Sequence, residues 1–259
     1  MSGVDPSAAV AKQTKLAAEI FDELYNKTFD GVGVTRASYG EGEQVASELL
    51  ESQAKKLGLV IDHDAAGNIY MTMRGESQEA PPIVIGSHID SVAQGGNFDG
   101  AAGVISGLIA CASIIEKGIR LPQDIRVMGI RAEESAWFGV SYIGSRSALG
   151  TLPKDALDNA KRSDTGITLG EHMFKAGCNP DALRAGDIYL PPSSLKAYLE
   201  VHIEQGPVLD SKDLPLGIVT GIRGNRRLPS AQCIGEYSHC GGVPRSYRKD
   251  AVLAVTDLV

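Results

Sequence analysis

Apolar residues recur every three or four positions near the start of the chain, a spacing that predicts two amphipathic helices. The first helix is predicted around Leu16–Leu24 and the second around Val45–Leu57, with Gly58 as a C-terminal cap. A third, more apolar run over Ala101–Glu116 predicts a buried helix, and a shorter helical stretch is expected near Ser141–Leu149. The periodicity of residues 151–194 is weak, and we expect loops there.

Between these helices, short runs of β-branched and apolar residues are bounded by turn formers, which predicts strands. The five predicted strands are Leu59–Ile61, Asn68–Met73, Ile83–Gly86, Ile125–Ile130 and Ala197–Ile203. Strands that alternate with helices favour an α/β domain, with a mostly parallel sheet flanked by helices.

The pattern changes after Gly206-Pro207, where alternating segments over Leu216–Ile222 and Ser230–Ile234 predict strands of a different unit. We therefore predict an α/β domain over residues 1–216 and the beginning of a smaller α+β unit over residues 217–259.

Composition excludes several classes of protein. The 259 residues include 25 basic and 32 acidic side chains, a net charge of −7, which argues against a nucleic-acid or anionic membrane partner. The longest apolar run, 15 residues from Ala101, is shorter than the about 18–20 residues that cross a bilayer. The first residues have no signal-peptide pattern, and the four scattered cysteines favour a cytoplasmic location.

Three predicted strands run into residues that can bind a metal ion. These residues are His88 and Asp90 after one strand, Glu133 and Glu134 after the next, and His202 and Glu204 at the end of the last, followed by Gln205. Because ligands of open α/β sheets bind beyond the carboxyl ends of the strands, we expect these side chains to meet. Asp99, in the glycine-rich loop before the Ala101 helix, is a fourth candidate.

Each of these residues also has an ordinary explanation. Asp99 is a suitable helix N-cap, a His-x-Asp pair is common on surfaces, and adjacent glutamates usually form a solvated face. Their coincidence at three strand ends favours the metal site. Histidine and carboxylate ligands suit Zn, Mn, Co or Ni, and a carboxylate such as Asp99 can bridge two ions.

Residue type also suggests supporting roles. Asp90, two residues after His88, is placed to orient that imidazole. One residue of the Glu133–Glu134 pair can bind metal while the other acts as a general base.

Several motifs resemble the binuclear metal amidohydrolases that include N-carbamoyl-L-amino-acid hydrolases, allantoate amidohydrolases and β-ureidopropionases. The motifs are Gly86–Val92, Gly95–Gly100, Ala132–Ser135, Gly144–Arg146, His202–Leu209 and His239–Ala251. The resemblance implies hydrolysis of linear ureido or carbamoyl C–N bonds through a metal-bridging hydroxide, on substrates such as N-carbamoyl-L-amino acids or allantoate. It also implies a homodimer whose second unit serves as a lid and dimerisation surface.

Two divalent ions per complete subunit follow from the same resemblance. It places His88, Asp99 and His202 on one ion and Asp99 with Glu134 on the other. Glu133 becomes the general base.

The resemblance assigns three further features near these ions. Gln205 is a substrate contact, and His239 is a lid histidine that supports the oxyanion. A cis peptide bond is implied between Asp99 and Gly100.

The chain departs from the family pattern in ways that keep other functions open. The family has a further metal-binding histidine near its C-terminus, whereas the last histidine here is His239, so we expect a truncated chain. Gly242, Val243 and Arg245 replace the usual lid residues, and His63 and His172 are expected to be structural. The alternatives are a metallo-dipeptidase or aminopeptidase, and a non-catalytic module with an incomplete metal site.

Overall fold

The computed structural model describes residues 6–222, 224 and 231–258. Contacts within the chain divide it into two units, Met1–Gln205 and Gly206–Val259. The boundary predicted from sequence, between residues 216 and 217, stays a prediction.

A five-stranded sheet forms the centre of the first unit. Its strands are β1 (Val60–His63), β2 (Ile69–Met73), β3 (Ile83–His88), β4 (Ile125–Ile130) and β5 (Ala197–Leu199). The spatial order is β1-β2-β4-β3-β5, so β3 lies between β4 and β5.

The α/β class is confirmed, and the sheet is mixed. The pairs β3–β4 and β3–β5 are parallel, whereas β1–β2 and β2–β4 are antiparallel. A short turn joins β1 to β2 and forces them to be antiparallel, because a parallel connection needs a dozen or more residues. The parallel part of the sheet is therefore narrower than the sequence predicted.

Helices cover both faces of this sheet. Those of the first unit are α1 (Pro6–Thr28), α2 (Glu41–Lys56), α3 (Ala101–Glu116), α4 (Ile143–Ala148), α5 (Ala156–Asn159), α6 (Leu169–Lys175) and α7 (Pro180–Arg184). One buried core joins α1, α2 and α3 to the sheet and includes Leu24, Leu50, Val104, Leu108 and Val127. Residues of α4–α6, Leu169 among them, pack in a second core with Tyr39 and Phe138.

Residues 151–194 contain α5, α6 and α7, which the periodicity did not predict. Their lengths of 4, 7 and 5 residues are too short to repeat an apolar stripe. The capping box of Thr168 and Glu171 at the start of α6 was a readable signal.

The strand predicted over Ala197–Ile203 ends at Leu199. Its three residues pair with Ile83–Ile85 of β3, and the chain then leaves the sheet. The carbonyl oxygen of Val201 lies close to Gly103, at the start of α3. This departure carries the following residue, His202, toward the start of that helix.

The second unit contains α8 (Val208–Ser211) and α9 (Ala251–Leu258). Among its described residues there is no strand, including 216–222 and 231–234, where strands were predicted. The physical reason is that an extended segment needs a neighbouring strand to pair its backbone groups. Ser230 lies outside the described residues.

None of the helices in the described ranges combines the length and the apolar character needed to cross a membrane.

Candidate metal centre

The sheet brings three chain segments to one edge. His88 is the last residue of β3, Glu133 follows β4 by three residues, and His202 follows β5 by three residues. Because β4, β3 and β5 are adjacent and parallel, their carboxyl ends lie side by side. The sequence-based expectation that these ends meet is confirmed.

Asp99 reaches the same edge because two glycines let α3 approach the strands closely. A Cβ at Gly100, whose φ is +65°, would lie 2.4 Å from the carbonyl oxygen of His88 and 2.5 Å from its imidazole. A Cβ at Gly103 would lie 2.4 Å from the carbonyl oxygen of Val201. Any other residue at position 100 would separate Asp99 from His88.

The cis peptide bond implied between Asp99 and Gly100 is absent, and the bond is trans. The positive φ of Gly100 turns the chain into α3 without it. This implication of the resemblance is wrong for the structure.

Three side-chain atoms converge at this edge of the sheet. His88 Nε2 lies 3.5 Å from Asp99 Oδ1 and 3.3 Å from His202 Nε2, and His202 Nε2 lies 3.4 Å from Asp99 Oδ1. These residues form a group whose ligand atoms could hold one metal ion. A tetrahedral ion with bonds of about 2.0–2.1 Å keeps its ligands about 3.3–3.4 Å apart. The observed spacing fits such an ion.

In each histidine a hydrogen bond at Nδ1 determines whether the converging Nε2 donates or accepts. His88 Nδ1 lies 2.9 Å from the carbonyl oxygen of Asp90, and His202 Nδ1 lies 2.8 Å from that of Ile203. A carbonyl oxygen only accepts, so each Nδ1 carries a proton and donates. In the neutral imidazoles both Nε2 atoms are then acceptors, and three acceptors face one another.

Asp99 Oδ1 is buried and accepts no hydrogen bond from the described residues. Such an atom is costly to bury unless positive charge lies beside it. Burial by itself lowers the pKa of His88, but Asp90 and Asp99 outweigh it and raise that pKa to about 10. The His88 imidazole in turn lowers the pKa of Asp99. The group therefore favours positive charge at its centre, which a proton on His88 supplies when no cation is bound.

Asp90 contacts His88 through its backbone and the glutamate pair through its carboxylate. Its backbone oxygen accepts the bond from His88 Nδ1, while the carboxylate Oδ1 lies 3.5 Å from that nitrogen. The carboxylate instead accepts hydrogen bonds from the backbone N–H of Glu133 at 2.9 Å and of Glu134 at 3.1 Å. Ser38 also donates to it, at 2.7 Å. Asp90 thus connects the histidine to the glutamate pair.

Glu133 borders a cavity of about 360 Å³, whose lining is mostly apolar and includes Met128, Ile130 and Leu190. The Ser145 hydroxyl donates to Glu133 Oε1 over 2.7 Å. Burial raises the pKa of Glu133 to about 7, although the Ser145 hydrogen bonds oppose that shift.

Glu134 and Gln205 lie near the converging atoms. Burial raises the pKa of Glu134, and the charge of His88 partly offsets this. Gln205 Nε2 donates to Asp99 Oδ2 over 2.7 Å. The residue predicted to contact substrate therefore holds the second oxygen of Asp99.

The other histidines have local partners. His239 belongs to the second unit, where its Nδ1 accepts from the backbone N–H groups of Gly241 and Gly242. His63 pairs with Glu51 at 2.8 Å, and His172 contacts the hydroxyl of Thr165. The role predicted for His239, support of the oxyanion, stays a prediction.

Sequence reasoning missed Arg36, whose side chain is fully buried. Its Nε donates to the carbonyl oxygen of Ile89 over 2.7 Å, and its Nη2 donates to that of Asp99 over 3.1 Å. Arg36 therefore fixes the backbone at Ile89 and at Asp99, the two ends of the loop between β3 and α3. A single arginine in a polar stretch has no periodic signal that would have identified it.

The chain is similar to a known protein family and to several hydrolases. Residues 68–169 match Peptidase family M28. The chain is 40% identical over 227 residues to the N-carbamoyl-L-amino acid amidohydrolase of Geobacillus stearothermophilus, covering 88% of this chain and 54% of that protein. It is 30% identical over 249 residues to allantoate deiminase 1 of Glycine max, covering 94% of this chain and 51% of that protein.

A similar fold occurs in the crystal structure of a hydantoinase/carbamoylase family amidase from Burkholderia ambifaria. The TM-score is 0.74 at 30% identity, and the match covers 93% of this chain and 58% of that one. The chain thus spans about half the length of the curated relatives it matches.

Proposed function

The chain belongs to the amidohydrolase family of the N-carbamoyl-L-amino-acid amidohydrolases and allantoate deiminases, and on this premise we propose that it hydrolyses a linear ureido or carbamoyl C–N bond. The proposed substrate is an N-carbamoyl-L-amino acid or a related ureide such as allantoate. The observation that carries the proposal is the convergence of His88, Asp99 and His202 at the carboxyl edge of the sheet.

We propose that His88, Asp99 and His202 hold one divalent cation. The fit rests on the buried Asp99 Oδ1, to which none of the described residues donates, and on its separation from the two imidazole nitrogens. A divalent ion bound there supplies Lewis-acid chemistry, polarising the scissile carbonyl and making water more acidic. The donor set of two imidazoles and a carboxylate suits Zn, Mn, Co or Ni.

A second cation is proposed between Asp99 and Glu134. Asp99 would offer its Oδ2, the atom to which Gln205 now donates.

Glu133 is proposed as the group that moves protons. Its carboxylate accepts from Ser145 at Oε1, and its backbone N–H donates to Asp90. The carboxylate would take the proton of the attacking water and return it to the leaving nitrogen as the C–N bond breaks. Gln205 and His239 are proposed substrate contacts, His239 supporting the developing oxyanion.

A homodimer and a cytoplasmic location complete the proposal. The four cysteines Cys111, Cys178, Cys233 and Cys240 are all free thiols, as expected in a reducing compartment.

Peptide hydrolysis is a second candidate function, because the matched Peptidase family M28 is named for it. A substrate panel separates the two candidates. The protein as its gene encodes it is assayed with N-carbamoyl-L-amino acids, allantoate and dipeptides, each with Zn, Mn, Co or Ni. We expect ammonia to be released from one of the ureides, and we expect a chelator to abolish this release. Dipeptide cleavage without ureide cleavage would establish the second candidate, and no turnover with any metal would contradict both.

A further inference from the structure

The segment 131–134 gives each of its four consecutive backbone N–H groups to a buried side chain. The acceptors, in chain order, are Asn68 Oδ1 at 2.9 Å, Glu43 Oε1 at 2.8 Å, Asp90 Oδ1 at 2.9 Å and Asp90 Oδ2 at 3.1 Å. Such a segment is held by side chains from elsewhere in the chain rather than by a helix or a sheet. The positions of Glu133 and Glu134 therefore depend on these acceptors.

Glu43 is the acceptor that lies furthest from the predicted site in sequence. It belongs to the first turn of α2 and is completely buried. Its Oε2 accepts from the backbone N–H of Tyr39 over 2.7 Å and from Nε of Arg131 over 2.8 Å. Both oxygens of the carboxylate are thus used, one of them by the N–H of Ala132.

Ala132 has a φ of +54°, in the left-handed region that side chains other than glycine rarely adopt. Its neighbours hold it there from both sides. The carbonyl oxygen of Ala132 accepts from the N–H of Ile143 over 3.0 Å, while Glu43 accepts its N–H. Such a conformation persists only when the surroundings determine it, and it is typical of functional sites.

The buried ion pair of Glu43 with Arg131 is weak evidence that Glu43 serves only to stabilise the fold. Desolvation of two buried charges offsets much of their attraction, and apolar replacements are often neutral. Glu43 lies on the buried face of α2 with Ala46 and Leu50, where an apolar residue would be usual. A carboxylate there is explained by the donors it accepts from.

We propose that Glu43 is a positioning residue for the Glu133–Glu134 pair. By accepting the N–H of Ala132 and the guanidinium of Arg131, it holds the strained turn that precedes the two glutamates. A change of the backbone at Ala132 would turn the residues that follow it and move the side chains of Glu133 and Glu134 away from their present partners. The consequence for catalysis rests on the proposed function, whereas the hold on the backbone does not.

The test compares Glu43→Gln with Glu48→Gln, a control on the exposed face of the same helix. Glutamine keeps the shape of glutamate, but its NH₂ group must face either Ala132 N–H or the donors of Tyr39 and Arg131. Amide hydrogen exchange is measured residue by residue in the protein without added metal. We expect exchange at 131–134 to become at least 10-fold faster in Glu43→Gln, with β4 unchanged and with no effect of Glu48→Gln.

Two results would overturn the proposal. One is equal acceleration throughout the first unit, which would mean that Glu43 only stabilises the fold. The other is unchanged exchange at 131–134. Should Glu43→Gln fail to fold, Glu43→Asp gives the same test, because it keeps the charge while its shorter side chain withdraws from Ala132.

Turnover is measured separately on the same variants. If the proposed function holds, Glu43→Gln lowers kcat at least 10-fold with little change in KM, and Glu48→Gln changes neither. If the unmutated protein is inactive on every ureide, the proposed function fails, and the exchange data still decide whether Glu43 holds the segment.

Discussion

Gln205 donates its side-chain N–H to Asp99 Oδ2 over 2.7 Å, and Asp99 Oδ1 faces two imidazole nitrogens. The carboxylate is therefore oriented from one side by an amide, which leaves its other oxygen free to bind a cation. Hydrogen bonds of this kind orient metal ligands and tune their affinity.

Replacing Gln205 by Leu is expected to weaken metal binding by about 10–100-fold, the usual consequence of removing a group that orients a ligand. The affinity is measured by titration calorimetry with Zn and with Mn. Gln44→Leu makes the same chemical change on α2, where the Gln44 side chain donates to Glu48, and it is expected to bind metal normally. Equal affinity in the Gln205 variant would show that this hydrogen bond is incidental.

Gly100→Ala is expected to destabilise the protein by more than about 1 kcal/mol, because alanine is strained at positive φ. The new Cβ would also lie 2.5 Å from the His88 imidazole and displace it, so metal binding should weaken at the same time. Gly96→Ala is the matched control, since its Cβ would meet nothing within 4 Å. Thermal unfolding and metal titration check both effects. A Gly100 variant with unchanged stability and affinity would contradict the close approach of α3.

Glu133 and Glu134 are adjacent in sequence, and we expect them to differ in role. Glu133→Gln should keep the bound metal and lose about 10²–10⁴-fold in kcat, since an amide cannot accept a proton from water. Glu134→Gln should release one ion. Metal content and kcat of both variants are measured together. The opposite pattern would exchange the two roles, and no change in either variant would support an ordinary solvated pair.

The described part of the second unit exposes large apolar side chains, with Ile218 92%, Val219 81% and Ile222 91% exposed. Because exposed apolar surface promotes association, we expect the chain to self-associate as its concentration rises. Light scattering measures this. Val219→Lys should reduce the association, whereas Ser211→Lys should not. A monodisperse monomer at high concentration would contradict this expectation.

The sequence predicted the elements that have strong local patterns. The bounds of β4 and α3 agree with the predicted ones, because each is a continuous apolar run between turn-forming residues. The meeting of His88, Asp99 and His202 was also predictable, because parallel strands bring their carboxyl ends to one edge. Local pattern and sheet geometry together were sufficient to predict that these three residues lie close together.

The supporting contacts were less accessible to sequence reasoning. Asp90 was expected to orient His88, and its backbone oxygen does contact the ring, but its carboxylate accepts hydrogen bonds from backbone groups 43 and 44 residues away. No periodic pattern records such a pairing. Glu43 could be recognised from the sequence, because it is a charged residue on the apolar face of α2. A buried charge of that kind indicates a partner elsewhere in the fold.

The central claim is that His88, Asp99 and His202 bind a divalent cation. Equilibrium dialysis against Zn, Mn, Co and Ni, followed by metal analysis, tests it on the unmutated chain and on Asp99→Asn, with the exposed Asp187→Asn as control. We predict at least one tightly bound ion per chain in the unmutated protein and in the control. We also predict affinity at least 100-fold lower in Asp99→Asn. Absence of bound metal, or equal retention by Asp99→Asn, would contradict the claim.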